Sequence, residues 1–410
     1  MSDYAFTITA GTPLALRAGR SSEQSATLAY LPGPSLLGAL AAAHRQLYSD
    51  RDEEFAQFFL RRRIVVSDAY PASFPDGPLT HPRWPVAPLP ATARTCKRFP
   101  GFAEDTTRPF QPHGVVDQAL AWTVFAASGE RTATSLRGAA TCRYPNPTCG
   151  EPVDPFGGFY RRAEARGKVL YGQAPGRVAL RTSTGINRAR GTVQQGVLFS
   201  RSVLVEGSRF WWCVRLDSAL DRAFRTFVDE ASELGVWRVG TGRTRGLGRL
   251  QAAEPEYLER DDAGTDAVRT RIDLFDARLR EMARQVGVSL AHRCYVPITL
   301  TSDLVLRDPL LRWRTCLDSD SLAMAGIANA DLVYHAARVH RVTGWNGALG
   351  LPQPDVAAIA MGSVFVFGFN GNPPYEALAR VQADGLGLRR EVGFGQVLVA
   401  GPIHYEVMQP

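Results

Sequence analysis

The sequence predicts an α+β fold in which one unit of strands and helices occurs twice. Apolar residues alternate in several short segments and recur at three- and four-residue steps in others. The succession of helix, glycine-rich loop and strand occurs near residue 240 and again near residue 390. Because 410 residues suffice for two or three domains with separate cores, the repetition indicates an internal duplication.

The first half opens with a strand followed by a helix. In YAFTITA, Tyr4, Phe6 and Ile8 alternate with smaller residues, which is the period of a half-buried strand. The next segment, LPGPSLLGALAAAHRQLY, begins with proline and glycine and then places leucine and alanine on one helical face. The free N–H groups at the start of this helix form a ready anion site. IVVSDAYPA predicts a second strand.

Residues 71–176 interrupt this pattern and are predicted to be an insertion. They are rich in proline, contain three of the six cysteines and have one helix-like piece, VVDQALAWTVFAA. Regular strands resume with RVALRTST, GVLFSRSVLV and SRFWWCVRL. Between the first two lies GINRARGTVQQG, whose bounding glycines and polar residues predict the tip of a long hairpin carrying Arg188 and Arg190.

An amphipathic helix between Asp217 and Gly235 leads into GTGRTRGLGRL at residues 240–250. Glycine lets backbone N–H groups approach a ligand closely, and arginine supplies a rigid fork of donors for phosphate. The order helix, loop, strand differs from that of nucleotide-binding loops, and no Gly-Lys-Ser/Thr follows the glycines. Two alternatives remain, RNA contact and a packed turn with its arginines in water.

Without the insertion, the first half reads strand, helix, strand, strand pair, helix, strand, which is the ferredoxin-like plan also used by RNA-recognition modules. A polar stretch within residues 256–290 predicts a linker or helical segment. The second half has strands at CYVPITLTSDLVL, LVYHAARVHRVTGWN and AIAMGSVFVFGF, a helix at PYEALARVQ, and a basic glycine loop. Domains are therefore expected at 1–255 and 291–410.

Composition and charge exclude some classes of protein. With 47 basic and 40 acidic residues, the net charge of +7 is compatible with a polyanionic partner. Six cysteines in a chain with no basic-then-apolar leader argue against a disulfide framework, and the longest apolar stretch is too short to span a bilayer. A cytoplasmic location is expected.

Together, LPGPSLLGALA, the arginine-bearing hairpin, GTGRTRGLGRL and the late EVGFGQV resemble the RAMP superfamily of CRISPR-associated proteins. Within it the chain is similar to the Csx-ten family of type III-D systems, a Cas-five-like subunit. The resemblance implies two ferredoxin-like RAMP domains in tandem, with a cysteine-containing insertion in the first. It also implies a type III effector complex in which this subunit caps the 5′ handle of the CRISPR RNA, beside the large polymerase-like subunit and backbone RAMP subunits.

The resemblance also implies which positions face RNA. They lie on the first helix, the hairpin tip and the two glycine loops: Gly33, Ser35, Gly38, Arg188, Arg190, Gly242, Arg243, Arg245, Gly246, Gly248, Arg249, Gly393, Phe394 and Gly395. Phe394 or Tyr30 is expected to stack on a splayed base.

The segments RTCKRFPGF, HGVVDQAL and NPTCGEPVDPFGGFY are similar to that family's cysteine-bearing insertion. Cys96, His113, Cys142 and Cys149 offer thiolates and an imidazole, a legitimate tetrahedral set for a structural zinc ion. Their separations of 16, 28 and 6 intervening residues match no compact zinc finger. A zinc-bound insertion and one that holds no metal are therefore both open.

The sequence favours a binding protein over an enzyme. It contains no His-Glu-x-x-His, no Gly-x-Ser-x-Gly and no acidic pair in a recognisable metal frame. The leading hypothesis is a non-catalytic RNA-binding subunit. The alternative is a metal-independent endoribonuclease that processes repeat RNA with His44 as general base, because imidazole titrates in the useful range. A third class is a protein-only scaffold, which would have no RNA affinity.

Overall fold

The computed structural model describes residues 2–17, 26–61, 63–105, 108–128, 141–144, 149–187, 189–259, 264–347 and 349–407. It is a mixed α/β chain with several small antiparallel sheets. The helices within these residues are α1 (Gly33–Leu47), α2 (Asp52–Phe59), α3 (Ala119–Ala127), α4 (Asp221–Glu233), α5 (Thr265–Gln285), α6 (Ser319–Met324), α7 (Tyr375–Asp384) and α8 (Ile403–Glu406).

The strands divide between two larger sheets, two long hairpins, one short strand pair in the second half and the smaller sheets of the insertion. They are β1 (Ser2–Ala10), β2 (Ile64–Pro71), β3 (Val86–Pro88), β4 (Ala93–Cys96), β5 (Val115–Asp117), β6 (Val153–Pro155), β7 (Phe159–Ala165), β8 (Lys168–Ala174), β9 (Val178–Asn187), β10 (Thr192–Leu204), β11 (Arg209–Leu216), β12 (Leu250–Ala252), β13 (Glu256–Tyr257), β14 (Cys294–Leu300), β15 (Leu306–Arg307), β16 (Trp313–Arg314), β17 (Asp331–Ala336), β18 (Val339–Asn346), β19 (Leu351–Ile359), β20 (Val364–Phe369) and β21 (Val397–Val399).

The first sheet has the strand order β12-β1-β11-β2, with β13 also paired to β1, and every pairing is antiparallel. The alternation in β1 turns Phe6 and Ile8 into a core that α1 and α4 complete. Trp212 of β11 lies at its centre, with its ring centroid 5.3 Å from that of Phe6. The predicted first strand, first helix and amphipathic helix are all present.

The second sheet has the order β17-β20-β14-β21, again antiparallel throughout, and packs against α7. The polar stretch predicted as a linker or helical segment contains the 21-residue helix α5. Val268, Ile272 and Phe275 recur on one face of this helix and are buried. An apolar stripe on an otherwise polar helix packs against a core.

Each half also carries a long two-stranded hairpin between the second and third strands of its sheet, β9–β10 in the first half and β18–β19 in the second. The first was predicted and the second was not. The stretch 332–346, predicted as one strand, divides into β17 and β18, while 358–369 divides into β19 and β20 at a turn in which Gly362 has φ +80°.

The insertion forms two three-stranded sheets, β3-β7-β8 and β5-β4-β6, and the helix α3. It packs against the second half as well as the first, since α3 shares a core with α5. Two polar contacts tie it to α8: Asp117 Oδ1 lies 2.9 Å from His404 Nδ1, and Arg162 donates to Glu406 at 2.7 Å. Among the described residues, no helix has the length and apolar character to cross a membrane.

Candidate nucleic-acid interface

The first glycine loop, residues 240–249, is held at both ends and exposed in the middle. The Thr241 N–H donates to the Ala15 carbonyl at 2.8 Å, and the Gly248 N–H donates to the Pro13 carbonyl at 3.1 Å. Between these anchors, Arg243–Arg245 form a single 3-10 turn. The side chains of Arg243 and Arg245 are exposed. The loop therefore presents its arginines to solvent from a fixed backbone.

A cleft of about 450 Å³ lies between this loop and the base of the β9–β10 hairpin. Its lining residues come from three segments of the chain: Ala15, Leu16, Arg17, Phe199, Ser200, Arg201, Ser202, Thr241, Gly242, Thr244 and Arg245. A Cβ on Gly242 would lie 3.1 Å from Arg201 Nη1, so the guanidinium packs directly on the loop backbone. The Arg201 guanidinium also lies 5.8 Å from the Phe199 ring centroid.

The described residues that line the cleft include three arginines and no acidic side chain. Arg201 stands directly opposite Arg181 in the β9–β10 ladder, and like charges in that position destabilise a strand pair. Within the part of the chain that the structure describes, Arg17, Arg201 and Arg245 form no ion pair with a carboxylate. An anion bound in the cleft would relieve this repulsion.

Not every predicted residue of the first loop faces the cleft. Gly248 is buried with φ +94°, and a Cβ there would lie 2.4 Å from the Val239 carbonyl oxygen. The Arg249 side chain packs against Gly235, where a Cβ would lie 2.9 Å from its Nε. Gly246 is exposed with open space around its Cα. Arg190 is exposed at the hairpin tip, and Arg188 lies outside the described residues.

The start of α1 is enclosed and already has an anion-type partner. Gly33 is buried, and its N–H donates to Asp68 Oδ1 at 2.7 Å. A Cβ on Gly33 would lie 2.4 Å from the Val392 carbonyl oxygen. Ser35 is half-buried and Gly38 is exposed. The carboxyl group of Asp68 thus occupies the position in which a phosphate was expected.

The second glycine loop, residues 385–396, lies in the junction between the two halves. Gly393 and Gly395 are buried. A Cβ on Gly393 would lie 3.1 Å from the Asp68 nitrogen, and the Gly395 N–H donates to the Asp303 carbonyl at 2.8 Å. Burial, reinforced by the nearby Asp303, raises the pKa of Asp68 to about 8. RNA contact by this loop stays a prediction.

The two rings expected to stack on a base pack against protein. Phe394 is only 8% exposed and shares a small core with Val356 and Ala358 of β19. Tyr30 contacts Tyr70 and Phe159, with ring centroids 6.0 and 5.9 Å away. Phe199, which the sequence reasoning did not single out, is the aromatic ring at the cleft.

The four predicted metal ligands come together in the insertion. The ligand atoms of Cys96, His113, Cys142 and Cys149 all lie within 4.8 Å of one another. Cys96 Sγ is 3.9 Å from Cys149 Sγ, and Cys142 Sγ is 3.5 Å from His113 Nδ1. Pairing of β4 with β6 brings the cysteine at the end of β4 beside the segment before β6. Strand pairing therefore brings together cysteines that are far apart in the sequence.

The chemistry of this cluster suits a metal ion. Tetrahedral zinc with Zn–S bonds of about 2.3 Å places its sulfur ligands about 3.8 Å apart, close to the spacing found. Burial, and the neighbouring Cys96 thiol, raise the pKa of Cys142 to about 11, so a cation is needed to stabilise its thiolate. Burial lowers the pKa of His113 and favours the neutral imidazole that coordinates metals.

His44, the residue of the endoribonuclease alternative, is fully buried. Its Nε2 lies 3.0 Å from Glu54 Oε1. Its ring is surrounded by aromatic rings with centroids 5.0 to 5.9 Å away, those of Tyr48, Phe55, Phe58, Phe59 and Phe227. A general base must reach its substrate, so these surroundings favour a structural role.

The fold and cleft define a mixed α/β protein with a cationic groove. The profile of the RAMP superfamily matches residues 7–251, more than half of the chain. The chain therefore belongs to the RAMP superfamily. A search of curated proteins gave no match.

Among solved structures, the chain is similar to three chains of the type III-B Cmr-beta. One, bound to cognate target RNA and AMPPnP, has 10% identity and a TM-score of 0.41, with 96% of each chain covered. Another, bound to cognate target RNA, has 13% identity and a TM-score of 0.30 over 62% of this chain and 96% of the other. The third, from the apo state, has 12% identity and a TM-score of 0.30 over 63% of this chain and 98% of the other.

Proposed function

We propose that this chain is a non-catalytic RNA-binding subunit of a type III CRISPR effector complex and holds the 5′ handle of the CRISPR RNA. The observation that carries the proposal is the convergence of Arg17, Arg201 and Arg245 on one open cleft, with no carboxylate paired to them in the described residues. Family membership is consistent with this role.

Binding in the cleft is electrostatic and positional. Arginine forks match phosphate oxygens, and these contacts fix the register of the strand without reading its sequence. The Phe199 ring offers a surface on which a base stacks.

The strand orders support the finer architecture that we propose, two ferredoxin-like domains in tandem. In each sheet the first and third strands are central, and the second and fourth are at the edges. By the resemblance of its motifs, we assign the chain to the type III-D, Cas-five-like subunits. Its partners are then the large polymerase-like subunit and the backbone RAMP subunits.

Purification of the chain from its native host, followed by sequencing of the bound RNA, tests the role. The expected result is a recurrent short RNA with a common 5′ end. No bound RNA, or a random sample of cellular transcripts, would contradict the proposal. A cleavage assay with a repeat transcript tests the alternative, because cutting by the purified protein that His44→Ala abolishes would establish the endoribonuclease.

We also propose that Cys96, His113, Cys142 and Cys149 bind one structural zinc ion, on the strength of their mutual distances. Metal analysis is expected to give about one equivalent of zinc per chain. Cys149→Ser should lower both the zinc content and the melting temperature, whereas Cys316→Ser, at a cysteine outside the cluster, should change neither. Less than a tenth of an equivalent in the wild-type protein would end the zinc proposal.

A further inference from the structure

The strand β10 has one edge paired with β9 and a second edge that faces the cleft. In an antiparallel sheet each residue directs its N–H and its C=O to the same side, and successive residues alternate between the two sides. Leu204 directs both groups away from β9, since its N–H donates to the Leu14 carbonyl at 2.8 Å and its carbonyl accepts from the Leu14 N–H at 3.0 Å. The next residue, Val205, donates to the Arg177 carbonyl on the β9 side.

This alternation fixes the direction of the backbone groups that border the cleft. Ser202 and Ser200 precede Leu204 at steps of two residues, and the register between Leu198 and Leu204 has no shift. Their N–H and C=O groups therefore point away from β9, and both serines line the cleft. On this edge, the described residues give these groups no hydrogen-bond partner. One wall of the cleft is thus a strand edge with free backbone donors and acceptors.

The segment that follows Leu14 lies on the other side of the cleft and uses its backbone groups elsewhere. The Ala15 carbonyl accepts from the Thr241 N–H at 2.8 Å, and the Leu16 N–H donates to Thr27 Oγ1 at 3.0 Å. The cleft opens where this segment separates from β10. The edge of β10 is therefore left to a ligand.

Hydroxyl groups add to this wall. Those at the cleft belong to Ser200, Ser202, Thr241 and Thr244. The Ser200 hydroxyl lies 2.9 Å from Thr182 Oγ1, and the Thr241 hydroxyl donates to the Ala15 carbonyl at 3.3 Å. The hydroxyl groups of Ser202, which is half-buried, and Thr244, which is exposed, have no hydrogen-bond partner in the part of the chain that the structure describes.

We propose that this edge of β10 binds ribose 2′-hydroxyl groups and that the cleft thereby selects RNA over DNA independently of base sequence. Phosphate oxygens only accept hydrogen bonds, so they pair with the arginines and not with the free carbonyl oxygens of Ser200 and Ser202. A 2′-hydroxyl donates and accepts, so it suits these carbonyl oxygens and the Ser202 hydroxyl alike. The inference rests on the proposed function, because it names the group that the same cleft recognises.

The N–H groups of a base are the other donors of a nucleic acid, and they fit this wall less well. Arg201 directly precedes Ser202 in β10, so a phosphate bound by the guanidinium group lies near the strand edge. The sugar is bonded to that phosphate, whereas the base is one sugar further away. The Phe199 ring offers the base a stacking surface that leaves its hydrogen-bonding edge unread.

Three single strands with the sequence of the co-purified RNA test the proposal: the RNA itself, a DNA with deoxyuridine in place of thymidine, and 2′-fluoro RNA. Fluorescence anisotropy at one salt concentration measures their affinity for the purified full chain. The RNA is expected to bind at least tenfold more tightly than the DNA. The 2′-fluoro RNA keeps the sugar shape of RNA and cannot donate a hydrogen bond, so it should bind within twofold of the DNA.

A matched pair of variants tests the residues. Ser202→Ala with Thr244→Val removes the two unpaired hydroxyl groups and should weaken RNA binding about threefold or more, while DNA affinity stays the same. Ser183→Ala with Thr184→Val makes the same chemical changes on β9, outside the cleft, and should alter neither affinity. Unchanged thermal unfolding verifies that both variants fold.

Equal affinity for RNA and DNA, or tight binding of the 2′-fluoro RNA, would overturn the proposal. Equal losses of RNA and DNA affinity in the Ser202 and Thr244 variant would also overturn it, because the hydroxyl groups would then contact phosphate. So would an RNA preference that depends on the base sequence.

The failure of this inference differs from that of the proposed function. If RNA and DNA bind alike and Arg201→Gln with Arg245→Gln weakens both, the cleft binds nucleic acid and only the 2′-hydroxyl contact is wrong. If the chain binds neither strand, or the arginine variant leaves both affinities unchanged, the proposed function fails and this inference fails with it.

Discussion

The first and second glycine loops share a local pattern and have opposite surroundings. Each follows an amphipathic helix, contains arginines among its glycines, and leads into an edge strand, β12 or β21. The first holds Arg243 and Arg245 out to solvent, whereas the second is enclosed against β2 and the start of α1. A shared sequence pattern therefore specifies the turn, and the neighbouring elements decide what the turn contacts.

The bases of the two hairpins extend this comparison. Beside the first loop, Phe199 and Arg201 leave an open cleft. Beside the second loop, the ring of Phe394 fills the corresponding space and packs on Val356 and Ala358. The place beside the first loop is open to solvent, whereas the place beside the second loop is filled by protein and joins the two halves.

The largest expected effect is the loss of stability when alanine replaces a tightly packed glycine of the second loop rather than an exposed glycine of the first. Gly395→Ala should lower the free energy of unfolding by about 4 kcal/mol or more, because its Cβ would lie 1.8 Å from the Leu386 carbonyl oxygen. Gly246→Ala, which has a similar positive φ but no atom within 4 Å, should cost about 1–2 kcal/mol. Denaturant unfolding measures both, and equal losses would break the comparison.

The next effect is a loss of RNA affinity, expected for arginines at the cleft and not for arginines of the second loop. Arg201→Gln with Arg245→Gln should weaken binding of the co-purified RNA at least tenfold. The loss of even one hydrogen bond to a charged phosphate costs about 1.5–3 kcal/mol of binding free energy. The slope of the logarithm of the binding constant against the logarithm of salt concentration should become shallower by about 0.7 for each lost phosphate contact. Fluorescence anisotropy at several salt concentrations measures both quantities.

The matched control removes the same charge from the second loop. Arg389→Gln with Arg390→Gln should change RNA affinity less than twofold, because neither side chain lines the cleft. If the control weakens RNA binding as much as the test pair, net charge rather than the cleft determines affinity.

The last effect concerns pH and the junction. Folding raises the pKa of Asp68 from 3.8 to about 8, so the folded chain keeps a proton that the unfolded chain releases. The free energy of unfolding should therefore fall as pH rises between about 4 and 8. Asp68→Asn should reduce this slope, and Asp50→Asn, at an exposed carboxylate, should not.

The sequence was sufficient for features that depend on local pattern. It predicted the first helix, the amphipathic helix before the first loop, the first hairpin and the four residues of the Cys/His cluster. It did not predict Arg17 and Arg201 beside the first loop, because segments far apart in the chain bring them there. The enclosure of Gly33 and Gly393 has the same cause, since no local signal reports which element will dock on a turn.

The contacts of α8 have a consequence for the order in which the chain matures. His404 lies between Asp117 and Thr299, 2.9 and 2.6 Å away, and joins the insertion to the second sheet. Chains fold from the N-terminus while they are synthesised, so the insertion is made long before the residues that fasten it. Its final packing must wait until α8 has been translated, and a truncation that removes α8 should release the insertion while leaving the first sheet intact.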